Sequence, residues 1–167
     1  DEVPVFVAGG VGRGEIFLNY LQLGAAGCQM GTRFVCAKEC IAHKNFKEIF
    51  IRSESRNAKV SVQIDDRLPV IPVRAIVNKA SIDFLNKQKK VLSSLEHGKM
   101  TLKEAQLEVE HFWAGSLKKA VINGDIENGS LMAGQCVSMV KKIESVASII
   151  NQILTQANSQ YNFNKKN

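Results

Sequence analysis

No apolar run in the 167 residues approaches the roughly 20 that a membrane-spanning helix needs, so no helical membrane span is expected. Proline is scarce at 3 residues and glycine stops at 12, which excludes collagen-like and mucin-like material. Aromatic residues make up 7% of the chain and do not interleave with the basic clusters Lys87, Lys89 and Lys90, Lys118 and Lys119, Lys141 and Lys142, or Lys165 and Lys166. A stacking groove for nucleic acid is therefore missing, and the surplus of 22 basic over 16 acidic residues reads as a solvated face. The 4 cysteines lack the spacing of a disulfide framework, which suits a reducing cytoplasm. Asp1 opens the chain without a basic n-region, so neither a signal nor a transit peptide is expected. A start without Met suggests a processed or truncated chain. What is present is ordinary for a globular protein, with 45% hydrophobic and 23% charged residues.

The run Val3-Pro-Val-Phe-Val-Ala8 ends at Gly9-Gly10, and Ile16, Tyr20 and Leu23 then repeat at helical spacing. A second short strand, Gly27 to Met30, meets Gly31-Thr32, and residues 33 to 52 read mainly as helix. This β-α-β-α order predicts parallel strands buried on both faces, which accounts for the nearly continuous apolar run at Val3 to Ala8. Residues 59 to 78 predict an irregular extended region with a turn at Asp65-Asp66. Helices are expected over 81–96 and 101–121, the second opening on Thr101 and Glu104 in capping-box spacing, and over 135–156. The polar tail 158–167 is expected to be disordered.

Two glycine turns after adjacent parallel strands place backbone N–H groups at one sheet edge, where α/β proteins bind ligands. Glycine permits close approach of a phosphate, and the helix after Gly14 offers N–H groups to an anion. Thr32 adds a hydroxyl. The same glycines would also serve simply to end strands. No third glycine completes G-x-G-x-x-G after Gly10-Val-Gly12-Arg-Gly14, and no P-loop Lys follows. Cys36, Cys40 and His43 could share a helical face, but no fourth ligand accompanies them, so no metal site is expected. His97 and His111 lack triad partners, and Asp65 and Asp66 point apart along an extended segment. Gly129-Ser-Leu-Met-Ala-Gly-Gln135 suits a loop lying against a flat ligand, or equally a Ser130 N-cap with Met132 in the core.

Five segments, taken together and in order, resemble one family. They are Val3-Pro-Val-Phe-Val-Ala-Gly-Gly-Val11, Leu23-Gly-Ala-Ala-Gly-Cys-Gln-Met-Gly-Thr-Arg-Phe34, Ala42-His43, Val73-Arg-Ala-Ile-Val-Asn78 and Gly124-Asp-Ile-Glu-Asn-Gly-Ser-Leu-Met-Ala-Gly-Gln135. The family is that of the flavin-dependent nitronate monooxygenases (2-nitropropane dioxygenases), together with the similar FMN-dependent enoyl-acyl-carrier-protein reductases. The resemblance implies an α/β fold, the C-terminal part of an FMN-binding (β/α)8 TIM barrel carrying an inserted α+β lid. Residues 1–56 would hold the last two βα units, 57–122 the lid that covers substrate, and 123–157 a flavin-facing loop and a helix packing back on the barrel.

On that reading Gly9 and Gly10 end strand seven, and Gln29, Met30, Gly31 and Thr32 end strand eight, the two loops that clasp the FMN phosphate. Ser130, Met132, Ala133, Gly134 and Gln135 line the flavin. A complete barrel has eight strands, and the segments resembling the first six are absent. The family's catalytic histidine is absent with them, since His43, His97 and His111 do not occupy its motif, and His43 is expected to be structural. Arg13 stands where the family carries an acidic residue. The implied function is flavin-mediated oxidation of an alkyl nitronate by O2, in a fragment inactive alone. The alternatives are NAD(P)H-dependent enoyl thioester reduction, or a non-catalytic remnant or subunit of a split barrel. The implied partners are a small-molecule substrate and an N-terminal barrel chain or a second copy.

Overall fold

The computed structural model describes residues 3–166; the first two residues of the predicted 1–56 unit and Asn167 of the predicted tail lie outside them. The first two βα units form as their glycine punctuation requires. Strand β1 (Phe6–Ala8) leads through Gly9-Gly10 into α1 (Gly14–Gln22), and β2 (Gly27–Gln29) leads into the short α2 (Thr32–Val35). β1 and β2 pair in parallel, with Phe6 opposite Gly27 and Ala8 opposite Gln29.

The expected burial of β1 on both faces is not made. Val3, Val5 and Phe6 are 62–83% exposed, because a two-stranded sheet offers no further strands to cover them.

The predicted helix over 33–52 is interrupted. Residues 36–43 turn instead, and α3 covers only Lys44–Arg52. The reason is a buried lysine: Lys47 Nζ donates to the carbonyls of Ala37 (2.7 Å) and Cys40 (2.8 Å), holding the loop against α3. Cys36, Cys40 and His43 therefore do not share a helical face. His43 is structural, its Nδ1 accepting from the Asn45 N–H at 3.1 Å to cap α3.

The region predicted as irregular contains an antiparallel ribbon of β3 (Ala58–Val60) and β4 (Arg74–Ile76). The Asp65 turn forms, closed by Arg67, whose backbone N–H, Nε and Nη2 all reach the Asp65 carboxylate. Helix α4 spans Lys79–Glu96 and starts two residues earlier than predicted, because Asn78 and Ser81 form a capping box. Helix α5 (Leu102–Trp113) carries the expected Thr101 and Glu104 box, and Gly115 separates it from α6 (Ser116–Val121).

The helix expected from residue 135 to 156 is also divided. A 3-10 turn at Gln135–Met139 is followed by extended backbone, since Lys38 N–H donates to Glu144 O and Glu144 N–H donates to Cys36 O. Helix α7 then runs over Val146–Lys166, so the tail predicted to be disordered is helical through residue 166. α7 is anchored on α1 at Gly14, where a Cβ would stand 2.0 Å from Ile153 O; only glycine admits so close a crossing.

Two larger cores organise the chain, beside a smaller one in which Ala37, Ile149 and Ile153 pack with Phe17, Met30 and Phe34 and seat α7 on the βα units. Of the larger two, one mixes Cys36, Phe46 and Phe50 with Ala58 and Ile76 of the ribbon, Ala120 of α6, and Leu131 and Val137. The other lies wholly within 68–113 and gathers Leu68, Val70, Phe84, Val91, Ala105 and Val109 beneath Phe112 and Trp113. That second core occupies part of 57–122, while the ribbon and α6 pack in the first core with Cys36, Phe46 and Phe50.

Candidate functional site

The site assembles at the C-terminal ends of β1 and β2. Gly9 and Gly10 turn there with φ of +88° and +74°, a left-handed conformation in which an L side chain is strained. Gly9 N–H points to Gln29 O at 3.5 Å and ties the two turns together. Above Gly9, Gly10 and Gly31 the space is open: a Cβ added to any of them would meet nothing within 4 Å. Thr32 follows at the start of α2.

The return loop reaches this edge by an indirect route. Ile76 N–H donates to Leu131 O at 2.9 Å and Ala133 N–H to Arg74 O at 3.1 Å, so residues 131–133 run antiparallel beside β4, with Met132 opposite Ala75. One residue on, Gly134 N–H donates to Thr32 Oγ1 at 2.8 Å. A Cβ on Gly134 would stand 3.8 Å from Gly10 N. The lid ribbon, the return loop and both glycine turns therefore meet through Thr32 and Gly134.

Not every predicted site residue faces this edge. Met132 and Gln135 are exposed and Gly134 is half-buried, whereas Ala133 is buried in the first core. Ser130 is 2% exposed, its N–H donates to Ser116 O, and its hydroxyl has no hydrogen-bond partner. Alternation along an extended segment turns Met132 outward and Leu131 and Ala133 inward, so Ala133 supports the loop from behind; Ser130 shares the parity of Met132 and is buried all the same. Gln29 and Gly31 lie at the end of β2, whereas the Met30 side chain packs with Phe17 and Phe34 against Ile149 and Ile153 of α7. The N-terminus of α1 is not free at the edge: Gly14 is buried and its N–H is taken by Gln156 Oε1 at 2.9 Å.

Cys136 escaped the sequence reading. Its buried thiol lies beneath the edge, against the Thr32 hydroxyl and the Gly10 N–H. Burial pushes its pKa up, and those two hydrogen bonds temper the rise. Only its place directly after the loop could have signalled it. Arg33, adjacent to Thr32, is turned away from the edge and buried, its Nη2 donating to Glu144 (3.3 Å) and Gln152 (2.9 Å). The edge thus offers backbone N–H groups and one hydroxyl. Thr32 Oγ1 accepts from Gly134, and its own O–H is directed to the Cys136 thiol, from which it can rotate toward an anion. Open glycine turns and this rotatable hydroxyl fit the terminal phosphate of a nucleotide cofactor. Among the described residues, no group of three or more His, Cys, Asp or Glu is placed to hold a metal ion.

Parallel βα units ending in an open glycine edge, with a helical insertion folded beside it, have the form of the closing part of a (β/α)8 barrel. Residues 1–156 match the profile of the family described as nitronate monooxygenase, and the chain belongs to that family. A curated relative, "Probable nitronate monooxygenase" of Staphylococcus saprophyticus, is 26% identical over 96% of this chain and 40% of its own length. FabK from Thermotoga maritima superposes with a TM-score of 0.77 and 28% identity, covering 99% of this chain and 48% of that one. Nitroalkane oxidase from Streptomyces ansochromogenes shares the fold, with a TM-score of 0.63 over 95% of this chain and 40% of its own. The chain therefore spans under half the length of these relatives. The family is one of flavoenzymes, and the fold of this chain is a partial barrel with its lid. Among the described residues no helix is long and apolar enough to cross a membrane.

Proposed function

We propose that this chain supplies the phosphate clasp, the flavin-facing loop and the lid of an FMN-dependent oxidoreductase that oxidises alkyl nitronates. Strands outside these 167 residues would complete the barrel, on an N-terminal partner chain or on a longer form of this one. The observation that carries the reading is the Thr32–Gly134 hydrogen bond, which seats the loop beside the open turns at Gly9, Gly10 and Gly31.

FMN, when bound, would accept electrons from the nitronate anion and pass them to O2. The residues of this chain bind and orient. The Gly31 backbone N–H and the Thr32 hydroxyl would hold the phosphate over the open Gly9–Gly10 turn without a charged side chain. Met132 and Gln135, exposed on the loop, would border the flavin, and the lid would limit the access of water. None of the three histidines of the chain is placed at the edge, so a proton-transferring group would come from the missing strands. The four free thiols support a reducing, cytoplasmic setting.

The likeness to FabK, as close as that to the curated nitronate monooxygenase, favours a second reading, NAD(P)H-dependent reduction of an enoyl thioester. The two readings share the clasp and differ in substrate.

Titration of FMN into the 167-residue chain, followed by flavin fluorescence and repeated with inorganic phosphate as competitor, tests the clasp. Saturable binding relieved by phosphate is the expected result. Binding indifferent to phosphate, or none even with the completing strands supplied in trans, overturns it.

A further inference from the structure

A second cavity lies inside the lid, away from the glycine edge. It has a volume of about 220 Å³ and lies, partly open to solvent, between the outer face of the β3/β4 ribbon and α4, with Trp113 at one side. Val60, Val62, Ala75, Ile82, Phe84 and Leu85 form most of its wall.

The polar side chains in that wall are already engaged. Gln88 is fully buried, with Nε2 donating to Val62 O at 2.9 Å and Oε1 accepting from Ile64 N–H at 3.3 Å. Ser61 Oγ accepts from Val73 N–H at 3.0 Å, and Ser81 Oγ donates to Asn78 Oδ1 at 3.0 Å. A cavity whose wall is mainly apolar, with its buried amide fully engaged, holds water poorly and takes an apolar guest. Lys59 is the single charged residue of the lining; it is exposed and makes no ion pair among the described residues.

We propose that this cavity binds the aliphatic tail of a medium-chain substrate anion, with Lys59 attracting its charged end. The volume accommodates roughly seven groups of about 30 Å³, the share of a water molecule and close to that of a methylene, which sets the tail at roughly six to eight carbons. The cavity connects to the candidate site through the ribbon: Ala75 lines it, and Met132 stands directly opposite Ala75 and so shares its face. Calling the guest a substrate rests on the flavoenzyme reading above; binding of the tail does not.

Trp113 is the sole tryptophan of the chain and lines the cavity, so its fluorescence reports occupancy without FMN. Butanoate, hexanoate, octanoate and dodecanoate are titrated into the full chain, with octanol as an uncharged control. Affinity is expected to rise about fourfold per methylene and to level off near eight carbons. Val77→Phe, at a half-exposed position of the wall, is expected to abolish the signal, and Lys59→Met to equalise octanoate and octanol. Affinity independent of chain length, a rise continuing unbroken to dodecanoate, or full binding by Val77→Phe overturns the proposal; circular dichroism of both variants separates blocked binding from loss of fold. A Trp113 response upholds the tail site whether or not FMN binds, and its absence overturns that site; the flavin reading falls only where FMN also fails to bind with the completing strands supplied in trans.

Discussion

Thr32→Val removes one hydroxyl while keeping the shape of the side chain, and it tests the joint on which the candidate site depends. The Thr32 oxygen accepts the Gly134 N–H at 2.8 Å, and no other acceptor is recorded for that donor. A net hydrogen bond contributes about 1 kcal/mol, and an unpaired, half-buried N–H adds a further cost, so the loss should be about 1.5 kcal/mol. For a chain of this length that corresponds to roughly 3–6 °C in Tm. Thr32→Ser retains the oxygen and should stay within about 0.5 kcal/mol of the parent. The two variants should also separate in flavin binding. Losing a hydroxyl donor to a phosphate, a charge-assisted bond of about 1.5–3 kcal/mol, should weaken FMN roughly tenfold to a hundredfold in Thr32→Val, and little in Thr32→Ser. Urea unfolding and flavin fluorescence, the latter well below Tm, give both numbers. If Thr32→Val unfolds with the parent midpoint and binds FMN as tightly, Thr32 neither holds the loop nor touches a phosphate.

Gly10→Val should destabilise the chain by about 1–2 kcal/mol through the left-handed backbone alone, since the space above it is open, and should fill the cradle, weakening phosphate competition in the FMN titration. Gly14→Ala should cost about 1–3 kcal/mol or more, read as a lowered urea midpoint, because its Cβ would meet the Ile153 carbonyl, which belongs to the backbone and cannot swing aside. Glu144 titrates below the ordinary carboxylate range: burial pushes its pKa up, but hydrogen bonds from Ser148, Lys142, Arg33 and Gln152 outweigh that push. A lowered folded pKa means stability that is present above the unfolded value of about 4.3 and lost as pH falls through the folded value. Glu144→Gln should flatten that acid limb in unfolding curves taken from pH 7 to 3. At pH 7 it should lose about 3 kcal/mol, since Arg33 would stay buried without its counter-charge.

The features that could be read from sequence are those that short-range chemistry determines. The glycine turns after β1 and β2, the cap at Thr101 and the Asp65 turn each depend on residues within four positions of one another. The breaks within the predicted helices over 33–52 and 135–156 were not readable, because both have the same distant cause. Residues 36–38 pair with Glu144, while Lys47 satisfies the carbonyls of the loop between them. Helical continuation through residue 166 likewise depends on α7 docking at Gly14 and on local contacts such as Lys165 over the Tyr161 ring at 4.5 Å.

The candidate site divides along the same line, and the division bears on how it works. Gly9, Gly10, Gly31 and Thr32 were visible because each ends a strand. That Ala133 lies behind the loop follows from the pairing of residues 131–133 with β4, a contact spanning more than fifty residues. Through that pairing a shift of the ribbon is passed to Gly134 by one residue of backbone, and from Gly134 to the Thr32 hydroxyl by one hydrogen bond. A guest in the lid cavity touches Ala75 of the same ribbon. Occupancy of the lid and geometry of the clasp are therefore joined by a short, rigid path. If that path transmits strain, octanoate should change FMN affinity, and FMN should change octanoate affinity by the same factor, as linkage requires. Thr32→Val should erase that coupling while leaving octanoate binding intact. Coupling that survives the substitution would mean the two sites communicate by some other route.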